Sequence, residues 1–127
     1  MGKDIRLSNY LNIDGRTVTI DLAGHKLYRS VGVYASTGHV IWAHGGSNLT
    51  LTSSVAGGSI EGGMANNGGA IHIPSGNTVT ATNVTFNGNS AAEHAGAIWN
   101  NGTFTATNCR FTNNTAKDVG AGGQPQR

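Results

Sequence analysis

A repeated stretch of sequence limits this chain to a small number of folds. GGAI at 68–71 returns as AGAI at 95–98, an offset of 27 residues, and VTATN at 79–83 returns as FTATN at 104–108, an offset of 25. Repeats of about 20–50 residues are typical of solenoids, propellers and arrays, in which each unit buries its apolar face against the next unit. The chain is therefore predicted to be a stack of similar units.

Weaker copies of the repeat extend towards the N-terminus. Thr19, Thr50, Thr80 and Thr105 occupy equivalent positions in four short segments and are 31, 30 and 25 residues apart. A coil of two or three strands cannot bury its inner face alone, so stacked coils must share one core. The spacing predicts about four such coils, arranged as a rod.

Apolar and polar residues alternate within each segment, which is the pattern of half-buried β-strands. The alternation places one set of residues inside the coils: Val18, Ile20, Leu22, Leu49, Leu51, Val79, Ala81, Phe104 and Ala106, with Phe86 and Phe111 in the strand that follows. A propeller would require antiparallel hairpins, and the segments lack a two-residue hairpin spacing. We therefore predict an all-β fold, a right-handed parallel β-helix (β-solenoid) of about four coils with uncapped or poorly capped ends.

The composition agrees with a β-rich fold and argues against several kinds of partner. The 127 residues include 20 glycines, and charged residues make up only 11%. The 8 basic and 6 acidic residues are scattered and give a net charge of +2, so we expect no nucleic-acid partner. The sequence has no apolar stretch of the ~20 residues that a membrane span needs and no signal peptide, so we expect no direct membrane insertion.

Residues 68–116 carry a pair of motifs that resembles a known family. GGAI and AGAI are followed by FNGN at 86–89 and FTNN at 111–114. This combination is similar to the repeat of chlamydial polymorphic outer-membrane proteins and of the bacterial surface proteins that share it. VTIDLAGHKL at 18–27 also resembles the opening coil of many pectate-lyase-like β-helices. The resemblance implies an adhesin or autotransporter passenger, at the cell surface or secreted, whose β-helix serves as a stalk or display surface.

The repeats define one module over residues 1–127. Residues 1–64 are predicted to form less regular coils, residues 65–116 contain the two clear GGAI/FxxN repeats, and residues 117–127 form a tail. The sequence lacks a β-barrel translocator and any segment with the pattern of a helical cap, and open sheet edges can pair with other chains. We expect a fragment of a longer protein, or a piece whose ends associate with other copies.

Trp42, His72 and Trp99 each follow an isoleucine that is predicted to point inward. Alternation turns these three side chains outward, and stacked coils would align them in a row. Exposed aromatic rings in a row are a common platform for sugar rings or for the apolar surface of a partner. They form the candidate binding site for a polysaccharide or host-surface ligand.

A second outward face is rich in threonine. It consists of T-x-T pairs in successive coils: Thr50 and Thr52, Thr80 and Thr82, and Thr105 and Thr107. Stacked pairs of this kind resemble the flat faces of β-solenoid ice-binding proteins, which implies ice binding as an alternative function. Threonine also suits any exposed strand because its branched Cβ fits the pleat. Asp21 and the unequal coil lengths are expected to interrupt the regularity.

Two asparagines are predicted to have a structural role. Asn83 and Asn108 follow the strands at 79–82 and 104–107, in the phase that points inward. A buried amide without a partner would cost about 1–3 kcal/mol, so we expect the two amides to bond to each other and to turn backbone. Phe86 and Phe111 are expected to form a parallel ladder in the next strand.

Residues with catalytic or metal-binding chemistry are dispersed in the sequence. The histidines are His25, His39, His44, His72 and His94, and the acidic residues are Asp4, Asp14, Asp21, Glu61, Glu93 and Asp118. His39 and His44 are expected on opposite faces of a strand, poorly placed to share a metal. Hydrolases and lyases on this fold need clustered carboxylates. We assign no catalytic residue, no metal and no cofactor.

The leading interpretation is a non-enzymatic structural and adhesive β-helix module of a bacterial surface or secreted protein. It would present its aromatic and threonine faces to a ligand or partner. Two alternatives stay open. One is a fragment of a carbohydrate-active β-helix, similar to polysaccharide lyases or hydrolases, whose carboxylates lie partly outside this chain. The other is an ice-binding solenoid.

Overall fold

The computed structural model describes residues 3–116, and this part of the chain contains sixteen β-strands and no helix. In chain order the strands are β1 (Ile5–Leu7), β2 (Leu11–Asp14), β3 (Thr17–Asp21), β4 (Lys26–Arg29), β5 (Ile41–His44), β6 (Asn48–Thr52), β7 (Ser59–Glu61), β8 (Met64–Asn67), β9 (Ile71–Ile73), β10 (Thr78–Thr82), β11 (Thr85–Asn87), β12 (Ser90–His94), β13 (Ile98–Asn100), β14 (Thr103–Thr107), β15 (Arg110–Thr112) and β16 (Thr115–Ala116). The described residues include no helix that is long and apolar enough to cross a membrane. The predicted tail at 117–127 lies outside the described residues.

The strands stack into four parallel sheets, which form the sides of a solenoid. Sheet 1 has the order β2-β5-β9-β13, sheet 2 the order β3-β6-β10-β14, sheet 3 the order β1-β4-β7-β11-β15 and sheet 4 the order β8-β12-β16. The pairings within the sheets are parallel, and neighbouring strands of a sheet come from successive coils. The prediction of a parallel β-helix of about four coils is confirmed.

The core runs along the axis of the stack and is filled by the inward residues of the sheets. Six of the predicted inward residues are fully buried: Leu22, Leu49, Leu51, Val79, Ala81 and Phe86. Four others are half-buried or exposed: Val18, Ile20, Phe104 and Ala106. These four lie on the first and last strands of sheet 2, which have a paired strand on one side only. Their side chains point inward as predicted, and their burial is limited because they lie on the end strands of the stack.

The GGAI motif forms the corner at which the chain enters sheet 1. Ala70 and Ile71 are consecutive and both buried. Both of their N–H groups donate to the carbonyl oxygen of Ala97, at 2.8 and 3.0 Å. A Cβ on Gly69 would lie 2.4 Å from the carbonyl oxygen of Gly96, closer than such atoms approach in proteins. The corner therefore requires a glycine and interrupts the alternation of a strand.

Asn83 and Asn108 do not form a buried ladder. Both are exposed, and both lie in the left-handed backbone region, with φ of 59° and 53°. Asparagine tolerates this conformation at turns, and the turn changes the direction in which the side chain points. The inward placement predicted for these two residues is wrong because the alternation of the strand ends at the residue before each of them.

A buried pair of asparagines is present one turn later, at the ends of the two FxxN motifs. Asn89 accepts a hydrogen bond from the N–H of Gly63 at 3.0 Å, and its Nδ2 donates to the carbonyl oxygen of Ile60 at 3.1 Å. The Oδ1 of Asn114 accepts from the N–H and from the Nδ2 of Asn89, at 3.0 and 3.1 Å. Its own Nδ2 donates to the carbonyl oxygen of Phe86 at 2.8 Å. These amides satisfy backbone groups where the chain passes from sheet 3 to sheet 4.

The phenylalanines of the same motifs are stacked in sheet 3. Phe86 and Phe111 are register partners, with ring centroids 5.0 Å apart and 12° between the ring planes. Phe104 meets both rings edge-on, at 6.2 and 6.5 Å. Phe86 is fully buried and Phe111 is half-buried. Each of the two FxxN motifs therefore supplies one stacked ring and one turn amide to its own coil.

Candidate functional site

Sheet 1 aligns the predicted aromatic residues in one outward column. Trp42 is the register partner of His72, and His72 is the register partner of Trp99. All three side chains are half-buried. The rings of His72 and Trp99 are stacked, with centroids 5.3 Å apart and 23° between their planes. The structure thus brings the three residues together on one side of the rod.

Trp42 is packed differently from the other two. Its ring stacks on His44, with centroids 3.5 Å apart and planes inclined by 8°. Tyr10 meets the ring edge-on at 5.6 Å. His39 lies between the two halves of the column, 6.4 Å from Trp42 and 5.7 Å from His72. Trp42 is therefore the centre of a covered cluster of rings.

The histidines are less dispersed than the sequence predicted. Four of them have a ring contact with Trp42 or Trp99: His39, His44, His72 and His94. The predicted placement of His39 and His44 on opposite faces is wrong, because Val40 and Ile41 are consecutive buried residues at a corner and break the alternation. We define the aromatic face as Tyr10, His39, Trp42, His44, His72, His94 and Trp99.

His39 is the least accessible member of the aromatic face, with 3% of its surface exposed. None of the described residues provides a hydrogen-bond partner for its two ring nitrogens or for Nε1 of Trp42. Burial, and then the nearby His72 and Arg29, lower the pKa of His39 to about 4. The imidazole is therefore neutral at pH 7 and offers one donor and one acceptor.

The loop between β4 and β5 covers His39. Arg29, at the end of β4, donates from Nη1 to the carbonyl oxygens of Thr37 at 2.6 Å and of His39 at 2.9 Å. A cavity of about 150 Å³ lies under this loop. Its lining consists of Tyr10, Ser36, Thr37, His39, Trp42 and His72. The repeat pattern gave no signal for this cavity, because the loop has no counterpart in the clearer repeats.

Sheet 2 forms the predicted threonine face with complete register across four strands. β3, β6, β10 and β14 are paired residue by residue over five positions. Ten of the twelve outward positions are threonine: Thr17, Thr19, Thr50, Thr52, Thr78, Thr80, Thr82, Thr103, Thr105 and Thr107. We call these ten residues the threonine face. The disturbance expected from the unequal coil lengths does not occur, because the extra residues lie in the connections between strands.

Two outward positions of sheet 2 differ from threonine. They are Asn48 and, on the first strand, Asp21. The Oδ1 of Asp21 accepts hydrogen bonds from the N–H groups of Ala23 and Ser54, each at 2.9 Å. Hydrogen bonds from the side chain and backbone of Ser54 lower the pKa of Asp21. Asp21 therefore interrupts one corner of the threonine face.

Acidic side chains meet basic groups on the outside of sheet 3. Asp4 accepts a hydrogen bond from the N–H of Lys26 at 2.8 Å and lies 3.5 Å from Nδ1 of His25. Glu61 lies 3.9 Å from Nζ of Lys26. Over residues 3–116 no group of three or more His, Cys, Asp or Glu side chains is arranged to hold a metal ion. The contacts around Lys26 are those of surface ion pairs.

The chain was compared with protein-family models, with curated proteins and with solved structures, and none of them matches it.

Proposed function

We propose that this chain is a non-enzymatic β-helix module that binds a polysaccharide or host-surface ligand through its aromatic face. The observation that carries the proposal is the column of Trp42, His72 and Trp99 in sheet 1. Parallel strands hold their side chains about 4.8 Å apart along the rod, so the three rings form one strip, in which His72 and Trp99 stack on each other. Such a strip suits the apolar faces of sugar rings. The GGAI and FxxN motifs add support for an origin in a bacterial surface or secreted protein of the polymorphic outer-membrane type.

The polar groups around the strip favour an uncharged glycan over an acidic or basic one. The imidazoles of the aromatic face supply donors and acceptors at its edge. The pKa of His72 is lowered, first by burial and then by the nearby His44. His44 lies 3.8 Å from the carboxylate of Asp14, the acidic group that the structure places at this face. A neutral polymer can hydrogen-bond to these groups without bringing a charge that needs a partner.

A glycan array with the wild type and a Trp99→Ala variant tests the proposal. The wild type is expected to bind a defined group of neutral glycans. Trp99 is one of the two rings in the stacked pair of His72 and Trp99. Its removal is therefore expected to weaken binding by at least about tenfold, or ~1.4 kcal/mol. Thr105→Ala, an outward change on β14 of sheet 2, is the matched control and should bind as the wild type does. Equal binding by Trp99→Ala, or no glycan bound by the wild type, would contradict the proposal.

The register of the threonine face favours ice binding as a second candidate function. Parallel strands lie about 4.8 Å apart, and outward residues recur about every 6.6 Å along a strand. The ten threonines therefore place hydroxyl and methyl groups on a repeating lattice. A lattice of this kind is suited to ordering water over its whole area.

Thermal hysteresis of the freezing point tests this second function. The wild type is expected to show hysteresis, and Thr80→Tyr should abolish most of it, because Thr80 lies at the centre of the lattice between Thr50 and Thr105. Trp99→Ala, on sheet 1, should leave hysteresis unchanged. A wild type without hysteresis would rule out ice binding while leaving the aromatic face untested by that measurement.

A further inference from the structure

We propose that the cavity under the β4–β5 loop is a subsite for one uncharged, hydroxyl-bearing ring, such as the terminal residue of a glycan. This inference rests on the proposed function, since it assigns the end of the ligand to a defined part of the aromatic face. The cavity volume is about 150 Å³. Sites for drug-sized molecules occupy about 300–1,000 Å³, so this cavity has room for a single small ring.

Two of the residues that line the cavity have buried polar atoms without a hydrogen-bond partner, and we take these atoms as the sign of a ligand. His39 is almost completely buried, and neither of its ring nitrogens has a partner among the described residues. The same holds for Nε1 of Trp42, which can only donate. A buried polar group without a partner costs about 1–3 kcal/mol. A hydroxyl group both donates and accepts, so a hydroxyl-bearing ring can satisfy Trp42 and either tautomer of His39 once these side chains turn their nitrogens towards it.

The charge of the surroundings argues for a neutral ligand. No charged side chain is among the residues that line the cavity. The guanidinium of Arg29 is bound to the carbonyl oxygens of Thr37 and His39 and holds the loop. The pKa of His39, about 4, keeps its ring neutral at pH 7. An ionised ligand would lose its hydration in a cavity whose lining residues carry no charge.

The place of the cavity in the repeat explains why it occurs in one coil. His39 precedes Val40 and Ile41 at its corner, as Gly69 precedes Ala70 and Ile71 at the next. The second corner has no room for a side chain at that position, whereas the first carries an imidazole.

The cavity also joins the open part of the aromatic face. His72 lines the cavity and stacks on Trp99 at 5.3 Å. Ser36 and Thr37 are exposed and lie at the opening of the cavity. A glycan with its terminal ring in the cavity would therefore continue across His72 towards Trp99.

Saturation-transfer NMR with methyl glycosides of glucose, galactose, mannose and N-acetylglucosamine tests the subsite. At least one neutral glycoside is expected to receive saturation from the wild type. Ser36→Trp should abolish the transfer, because the indole would fill the opening while the core stays unchanged. Ser75→Trp, at an exposed serine in the β9–β10 connection, is the matched control and should bind normally. No transfer to any glycoside, or transfer unaffected by Ser36→Trp, would overturn the inference.

A second variant tests the role of the polar atoms. His39→Phe keeps an aromatic ring but removes both nitrogens, so we expect the dissociation constant of the glycoside to rise at least about tenfold. Thermal unfolding shows whether the variant is folded. Unchanged affinity of folded His39→Phe would overturn the inference. Glucuronate is the charged probe, and binding as tight as that of the neutral glycoside would overturn the assignment of an uncharged ligand.

The two proposals can fail separately. If Trp99→Ala loses glycan binding on the array and Ser36→Trp does not alter either assay, the aromatic face is retained as the binding surface and the subsite is rejected. If methyl glycosides bind in a manner that Ser36→Trp blocks, but Trp99→Ala has no effect on array binding, the subsite is retained and the wider face is rejected.

Discussion

Asn89 lies between β11 and β12, where three polar groups depend on its side-chain amide. These groups are the N–H of Gly63, the carbonyl oxygen of Ile60 and the Oδ1 of Asn114, at 3.0 to 3.1 Å. The partners belong to the coils before and after its own, so one side chain connects three coils. Buried polar groups in proteins are almost always paired in this way. At the residue scale, turns of this rod are held by amides that bridge coils.

Asn89→Ala is therefore expected to lower the free energy of unfolding by about 2–4 kcal/mol, since it leaves the N–H of Gly63 and the carbonyl of Ile60 without their partner. Urea denaturation followed by circular dichroism measures the change. The comparison variant is Asn83→Gly, at an exposed left-handed position that glycine also adopts, and it should stay within about 0.5 kcal/mol of the wild type. A larger loss for Asn83→Gly than for Asn89→Ala would contradict this account of the turns.

His39 makes the stability of the fold depend on pH. Its folded-state pKa of about 4 lies below the ordinary value of 6.5, so the unfolded chain binds a proton more readily. The stabilising contribution is fully present above pH 6.5 and is lost as the pH falls towards 4. At about 1.4 kcal/mol for each pKa unit, the loss between pH 7 and pH 4.5 is about 2–3 kcal/mol.

Urea midpoints at pH 7 and pH 4.5 test this pH dependence. His39→Gln does not titrate and is expected to lose about 2–3 kcal/mol less than the wild type between the two pH values. His25→Gln, which removes a histidine on the other side of the rod beside Asp4, should keep the wild-type dependence. If the wild type and His39→Gln lose the same amount of stability, the buried imidazole is not its source.

The corner before sheet 1 is the element that closes each coil. Val40 and Ile41 share the carbonyl oxygen of Ala70 as acceptor, and Ala70 and Ile71 share that of Ala97. Two consecutive side chains thus point into the core, which a regular strand does not allow. The same geometry recurs in successive coils, which explains why the sequence contains both GGAI and AGAI.

Gly69→Ala is expected to destabilise the fold by at least about 3 kcal/mol or to prevent folding, because the new methyl group would lie 2.4 Å from the oxygen of Gly96 and 2.5 Å from that of Ser90. Thermal unfolding and soluble yield measure the effect. Gly32→Ala is the control, since a Cβ there has no neighbour within 4 Å among the described atoms. A melting temperature of Gly69→Ala equal to that of Gly32→Ala would show that the corner can open.

The whole molecule is stabilised by stacking, so the energetic value of a core residue depends on its coil. Leu51 is register partner to Ile20 on one side and to Ala81 on the other and is fully buried. Ile20 has one such partner and is half-buried.

Association of the ends with other copies stays a prediction, and molecular mass measured against concentration would test it.

Leu51→Ala is expected to cost about 3–4 kcal/mol of unfolding free energy, within the range for a buried leucine, and Ile20→Ala about half as much because part of its side chain is already in water. Chemical denaturation of both variants measures the difference. Equal costs would mean that the first coil is covered as fully as the middle ones in solution.

The stack, the approximate number of coils and about half of the buried core follow from the sequence alone. Offsets of 27 and 25 residues put equivalent residues one coil apart, and alternation within short strands assigned the inward side chains. Both rules act locally, between neighbours in a strand or between equal positions of adjacent coils. The column of Trp42, His72 and Trp99 follows from the same two rules and is therefore visible in the sequence.

The conformation of the turns between strands is visible only in three dimensions. Asn83 leaves the core because a left-handed turn changes its direction, and Asn89 takes the buried place. His39 and His44 meet at Trp42 because the corner between them breaks the alternation. Side chains alternate between inward and outward only while the backbone is extended, so the alternation before a turn does not predict the directions after it. Which side chain then faces which cavity depends on the path of the loop in three dimensions, and no local pattern records that path.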